Sequence, residues 1–268
     1  MPTAILNDQE FSQFQKLIYQ LAGINLSPAK KALVGARLAK RLAHYHLDTY
    51  GDYFKLLTSA HNADELQVTV DLLTTNETYF FREPKHFDFL RGKVLSAHKP
   101  GNNFRVWSAA CSSGEEAYSI AMVLADHLGG DPWEVVASDI STRVLEKARN
   151  GHYPMDRIHG ISQEHLSRYC LKGVGTQNNT LLVDKKLRSR VSFMQVNLNQ
   201  SLPNLGTFDL IFLRNVMIYF DQKTKRQIVQ RMLPLLKPGG HFLVGHSESL
   251  NGVVDTLHPL APSIYLKP

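Results

Sequence analysis

Five short segments combine residue types that chemistry needs more than packing does. The run Ser108-Ala109-Ala110-Cys111-Ser112-Ser113-Gly114 closes on two acids, Glu115 and Glu116. Small side chains let a backbone approach a ligand closely. The run lacks the G-x-G-x-x-G spacing of a dinucleotide fingerprint, and paired acids would repel a pyrophosphate where a helix N-terminus otherwise attracts one. A ligand bearing an ammonium and a sulfonium group suits that charge better. Asp139 stands about 25 residues beyond the turn, near the spacing at which an acid holds a ribose diol. Its plainer role would be an N-cap for the next helix, which Ser141 can also fill. Together the turn and the acid point to an adenosine-containing ligand.

Three further segments complete the set. In Asn197-Leu198-Asn199 an amide is available to read the Watson–Crick edge of adenine. Arg214-Asn215-Val216-Met217-Ile218-Tyr219-Phe220 sets polar residues at an apolar strand end, ahead of an apolar run, as a pocket floor would. Pairing of Arg214 with an acid at the sheet edge is the structural alternative. Thr74-Thr75-Asn76-Glu77-Thr78-Tyr79-Phe80-Phe81-Arg82-Glu83 is too aromatic, and too poor in Gly, Ser and Pro, for an ordinary linker. It reads as a lid over a pocket.

Each of these segments needs an element to hold it. Short β-branched or aromatic runs occur at 104–107, 133–137, 191–196, 208–213 and 241–245. Helical stretches at 116–128, 142–150 and 223–236 separate most of them. That alternation predicts an α/β fold with a mostly parallel, doubly wound sheet, on which ligands sit beyond the carboxyl ends of the strands. Pro238-Gly239-Gly240 reads as a helix stop and tight turn, and residues 263–267 as an antiparallel edge strand. Residues 152–190 break the rhythm with turn formers and short alternating pieces, and read as an inserted β-subdomain. The first 73 residues show helical spacing throughout. The expected helices run over 10–22 (Asp8 as N-cap, Gly23 as stop), 27–46, 50–58 and 64–73. The expected organisation is a helical domain over 1–73, a linker over 74–90 that contributes to the pocket, and a Rossmann-like domain over 91–268.

Bulk properties narrow the class. With 268 residues, 43% hydrophobic and 20% charged, the chain is ordinary globular protein. No apolar run approaches the ~20 residues of a membrane span, so direct membrane insertion is not expected. The opening Met1-Pro2-Thr3-Ala4-Ile5-Leu6-Asn7-Asp8 has neither the basic nor the apolar part of a signal peptide. Two distant cysteines, Cys111 and Cys170, predict a reduced, cytoplasmic setting. The 12 histidines are scattered, and no cysteine or carboxylate completes a set around His44 and His46, so no metal is expected. A net charge of +6 and a pI near 9.2 suit an acidic partner, without choosing among RNA, DNA, lipid and protein.

Taken in order, residues 75–83, 109–119, 137–140, 214–220 and Gly245-His246-Ser247-Glu248 resemble the CheR family of chemoreceptor glutamate methyltransferases. The likeness covers nearly the whole chain; Ala117 stands where the family commonly has Pro. The resemblance implies S-adenosylmethionine as cofactor, with S-adenosylhomocysteine as product. It implies contacts from Asn76, Thr78 and Arg82, and Glu116 on the methionine ammonium, with Glu115 as second choice. Asp139 would take the ribose, Asn197 and Leu198 the adenine, and Arg214 and Asn215 would line the site beside the methyl group. Arg82 and Tyr219 fall at positions associated with the transfer itself. The implied partner is the cytoplasmic part of a methyl-accepting chemoreceptor, presenting glutamates and, as an open question, a C-terminal tail peptide for the β-subdomain. Lys30, Arg37, Lys40 and Arg41 crowd one helix; the plain alternative is a solvated face, and the resemblance supports a docking surface there for acidic methylation helices.

A glutamate side chain, whose ordinary pKa is ~4.3, is ionised at neutral pH. Methyl transfer to it therefore requires approach geometry and desolvation and no general base. Two rivals use the same fold. A nucleic-acid methyltransferase would agree with the pI, but the 214–217 segment lacks a proline–aromatic clamp or nucleophilic cysteine. A non-catalytic cofactor sensor is opposed by the intact set from Asn76 to Asn215.

Overall fold

The helical module begins at Asn7, whose side chain accepts from the Glu10 amide while the Glu10 carboxylate accepts from the Asn7 amide. This capping box starts helix α1 (Asp8–Ala22), so Asn7 is the cap and Asp8 the first helical residue. Gly23, at φ 71°, ends it in the left-handed conformation that glycine tolerates. Phe11, Phe14 and Ile18 form its buried stripe. One 3₁₀ turn at Pro28–Lys30 leads into α2 (Lys31–His44), followed by α3 (Tyr50–Thr58) and α4 (Ala63–Leu73). The computed structural model describes residues 4–59 and 62–268; residues 1–3 of the chain opening read above lie outside them.

Beyond a short irregular linker the chain is helical again in α5 (Pro84–Phe89), continued by tighter and wider turns to Ala97. The linker expected over 74–90 thus ends in a helix that the sequence reading does not include. Pro84 at its first turn, where no backbone donor is needed, is the local signal for it.

The sheet then forms from β1 (Phe104–Ser108), β2 (Trp133–Asp139), β6 (Val191–Gln195), β7 (Phe208–Leu213) and β8 (Leu236–Val244), all parallel. Helices α6 (Glu115–Leu128), α7 (Thr142–Asn150) and α10 (Gln222–Met232) cover its faces. Pro238-Gly239-Gly240 lies inside β8 at a register shift, so it is a bulge rather than the expected turn. Antiparallel β10 (Ile264–Leu266) and an unforeseen β9 (His258–Ala261) complete one edge, giving the order β6-β2-β1-β7-β8-β10-β9. The chain runs outward from β1 to β2 and β6, then returns to β7 on the other side. The gap between the carboxyl ends of β1 and β7 is therefore the topological switch point, where open α/β sheets bind ligands.

The insertion holds a three-stranded antiparallel sheet, β3 (His152–Pro154), β5 (Thr180–Val183) and β4 (Cys170–Lys172), with α8 (Gln163–Tyr169) and α9 (Lys185–Arg188). Among the described residues no helix is long and apolar enough to cross a membrane.

The helical module is fastened to the strand ends. Asp71 of α4 accepts from the Thr142 and Arg143 amides at the start of α7. The capping of α7 expected of Ser141 is thus done from another domain, and the buried Ser141 hydroxyl has no partner among the described residues. The Asn25 amide donates to the Tyr219 carbonyl, closing the far side.

Candidate active site

A cavity of about 340 Å³ lies at the switch point, a volume ordinary for a small-molecule site. Its walls come from the sheet, the linker and the helical module together. The turn after β1 supplies Ala109, Ala110 and Ser112, and α6 supplies Glu116. Gly114 makes that turn possible: its φ is 94°, and a Cβ there would lie 2.9 Å from the Ala148 Cβ.

Asp139 ends β2 with its carboxylate turned into the turn region, accepting from the Ser112 amide at 2.9 Å and the Ser141 amide at 3.0 Å. Burial pushes its carboxyl up, opposed by these two amides and that of Ile140. Glu116 accepts from the Ser108 hydroxyl at 2.7 Å and from Arg214 at 2.9 Å. Its carboxyl is also pushed up by burial, against the pull of the arginine. Glu115 does not line the cavity: it is 1% exposed and faces the inserted subdomain, paired with Arg157. Of the two acids, only Glu116 reaches the pocket.

Arg214, buried at the end of β7, lies between two carboxylates. It donates to Glu83 at 2.8 Å, to Glu116 at 2.9 Å and to the Arg82 carbonyl. The structural alternative for Arg214 therefore holds in part: it pairs with acids and lines the cavity at once. Glu83 also accepts from the Asn215 amide group and from the His246 backbone. Burial alone would raise Glu83, but Arg214, Asn215 and the His246 amide hold it down at about 2. Burial, reinforced by the nearby guanidinium, brings His86 down to about 3, so it is neutral.

Asn76, Thr78, Arg82, Tyr219 and Leu198 all line the cavity. The Asn76 side-chain oxygen is buried there without a partner among the described residues, an acceptor left for a ligand. Arg82 donates to the Glu77 carbonyl at 2.8 Å and lies over the Tyr79 ring. Asn197 lines the cavity too, but its amide is partly used: it donates to the Leu21 carbonyl at 2.6 Å and accepts from the Asn199 backbone. These bonds tie α1 to the sheet and leave one N–H and one lone pair of the amide free.

The residues of the docking helix divide. Arg37 lines the cavity and donates to the carbonyls of Leu73 and Thr74 at the end of α4. Lys40 is exposed, outside the cavity. Arg41 forms a two-pronged pair with the buried Glu65 at 2.8 and 2.6 Å, a structural role that competes with docking.

Glu83 and Glu248 brace the residues of the site from outside the cavity lining, and spacing does not single either out for a role. Glu248 accepts from the amides of Asn215, Gly245 and Ile218, shaping the turn after β7. A signal would have needed backbone angles: Phe81, Glu83, Ser112 and Asn215 all have φ between 49° and 59°, an uncommon conformation for residues other than glycine. Such strain gathers at sites whose surroundings over-determine it. Glu83, His86 and His246 also bring potential ligand atoms within 4.8 Å of one another. Arg214 already occupies Glu83, and its charge opposes a cation there.

Residues 9–74 match the family model for the CheR methyltransferase all-alpha domain, and residues 76–265 that for the CheR methyltransferase SAM binding domain. The chain belongs to the CheR methyltransferase family. It is 44% identical to the chemotaxis protein methyltransferase of Salmonella typhimurium over 97% of this chain and 90% of that one. Identity to the Escherichia coli chemotaxis protein methyltransferase is 45%, covering 92% of this chain and 86% of that one. For chemotaxis protein methyltransferase 2 of Pseudomonas aeruginosa it is 40%, covering 96% and 92%. This is therefore an S-adenosylmethionine-dependent methyltransferase, and the resemblance read from the five segments agrees with its family. The residues present suit that cofactor: two carboxylates for its cationic and hydroxyl groups, an orphaned acceptor at Asn76, and a turn of small residues.

Proposed function

We propose that the chain is a protein-glutamate O-methyltransferase acting in the cytoplasm on membrane-bound chemoreceptors in chemotaxis adaptation. The observation that carries this reading is the composition of one cavity. Its lining joins the half-buried Glu116 and Asp139 to Arg37 and to the exposed Lys30, Leu33 and Ile218. Leu33 is 37% and Ile218 55% exposed, so a cationic, partly apolar mouth opens onto an acidic interior. An acidic amphipathic helix matches such a mouth; a nucleic acid would not call for its apolar part.

In this assignment Glu116 holds the cofactor's ammonium and Asp139 its ribose hydroxyls. Asn76, Thr78 and Arg82 close over it from the linker. Leu198 and Ile140 supply apolar walls for adenine, with Asn197 contributing through its backbone. S-adenosylmethionine supplies a methyl group on a positively charged sulfur, and transfer to a glutamate carboxylate leaves a methyl ester and S-adenosylhomocysteine. The protein's own contribution is alignment. Arg82 and Tyr219 stand at the cavity to orient the incoming carboxylate, while Arg214, already saturated by Glu83 and Glu116, cannot quench its charge.

The tail peptide of a receptor is proposed to bind the inserted subdomain by adding a strand beside β4. That edge strand is exposed at Leu171, and Val174 just beyond it is 79% exposed. Binding to a panel of receptor tail peptides tests this point. The main reading is tested by transfer of labelled methyl to receptor-rich membranes. Label released by base as methanol supports an ester; base-stable label, or transfer to RNA instead, overturns it.

A further inference from the structure

The inserted subdomain touches the linker as closely as it presents an outer edge. Arg157, on the 3₁₀ turn Met155–Arg157 after β3, donates through one nitrogen to the Thr78 carbonyl at 3.0 Å and to Glu115 at 3.1 Å. Thr78 is a cavity residue, and Glu115 opens the helix that carries Glu116. Arg157 is the only cation paired with the buried Glu115 among the described residues. Three neighbours press on the same segment. The Tyr153 ring meets Phe80 edge-on at 5.0 Å, and its hydroxyl donates to the Ser113 carbonyl at 2.7 Å. His165 stacks on Phe81 at 5.2 Å, held from behind by Asp126 at 2.7 Å. Gly160 approaches so near that a Cβ would lie 1.9 Å from the Phe80 carbonyl oxygen.

The segment so enclosed is the strained one. Phe81 and Glu83 both have positive φ, and such backbone persists only where its surroundings leave it no alternative. The β1 and β7 turns hold one side of it; the insertion holds the other.

We infer that Arg157 is a positioning residue for the cofactor, locking Thr78 of the linker to the start of α6, so that the inserted subdomain braces the lining of the active site from behind. The inference rests on the assignment of the cavity to S-adenosylmethionine. Without Arg157 the linker samples other conformations, and apparent affinity falls by the fraction that remains competent. The competent enzyme–cofactor complex, once formed, has its reacting groups unchanged.

The test is calorimetric titration of S-adenosylhomocysteine into the full chain, its R157M variant and its R157K variant, with steady-state kinetics in parallel. R157M should bind about tenfold more weakly, as a competent fraction near one tenth would give. The KM for S-adenosylmethionine should rise in step while kcat stays within about twofold, the split expected of lost positioning. R157K should recover most of the affinity, since an ammonium can reach the same two acceptors. Hydrogen exchange at residues 78–82 should quicken in R157M and return to the parent rate at saturating S-adenosylhomocysteine. Should R157M not fold, R157Q takes its place, with the same loss of affinity at retained kcat expected. Parental affinity in R157M or R157Q, or a fall in kcat at unchanged KM, overturns the positioning role alone. No binding by the parent overturns the cavity assignment and this inference with it.

Discussion

Two buried arginine–carboxylate groups, one in each half of the molecule, share their chemistry and differ in their arithmetic. In the helical module Arg41 meets one acid, Glu65, whose oxygens also accept from Tyr45 and Tyr53. Every charge there is matched. At the switch point Arg214 meets two acids, Glu83 and Glu116, and leaves the trio one negative charge in excess. A matched group holds helices together, whereas in the proposed assignment the unmatched one, beside the cavity, receives a cation from the cofactor. The sulfonium and ammonium of S-adenosylmethionine are such cations. The difference teaches that burial and ion pairing do not by themselves distinguish structure from function; the local charge balance and the neighbouring cavity do.

Arg214→Met breaks the comparison most severely. It leaves Glu83 and Glu116, each 12% exposed, without their cation, for a loss of about 3–5 kcal/mol, and should also abolish detectable binding of S-adenosylhomocysteine by calorimetry. Arg41→Met should cost about 3 kcal/mol in chemical denaturation because Glu65 loses its cation, yet leave cofactor affinity within about twofold. A variant at Arg41 that lost cofactor binding as sharply as one at Arg214 would erase the distinction.

Asp139→Ala sharpens the picture inside the cavity. Each lost hydrogen bond from a ribose hydroxyl to this charged acceptor is worth about 1.5–3 kcal/mol, so affinity for S-adenosylhomocysteine should fall at least about tenfold. Unchanged affinity would remove Asp139 from the site. Arg82→Ala separates holding from transfer: turnover should fall about ten- to a hundredfold, more than cofactor affinity weakens. The reverse ranking would make Arg82 a clamp only. The smallest effect belongs to the docking helix, where Arg41 is already engaged by Glu65 and the lysines are the groups to alter. Reversing charge at Lys30 and Lys40 should slow receptor methylation by about threefold at low salt and less at physiological salt, where screening is stronger. Equal rates at low salt would return that face to ordinary surface.

Much of this architecture was legible because it rests on repeating patterns. The apolar spacing of α1 to α4 and the alternation of β-branched runs with helices translate directly into elements, and the switch point then locates the segments that follow β1, β2 and β7. The five segments revealed Glu116, Asp139, Arg214 and the linker because their polar residues stand where packing alone would not put them. What escaped was long-range. Asp71 capping α7, the Asn197 amide bonded to Leu21 and the Arg41–Glu65 pair each join residues far apart in sequence, and no local pattern announces them. Glu83 escaped for another reason: its role depends on a positive φ that a glutamate seldom adopts.

The central claim is that this cavity esterifies glutamates on a chemoreceptor, and one measurement meets it directly. The protein is incubated with S-adenosylmethionine and a receptor cytoplasmic fragment, with the Asp139→Ala variant as control, and the digested fragment is mapped by mass spectrometry. A gain of one methyl group on particular glutamates, removed by mild base and diminished in the variant, is the predicted result. Methylation on other residue types, or none on the receptor while nucleic acid in the same mixture becomes modified, would contradict it.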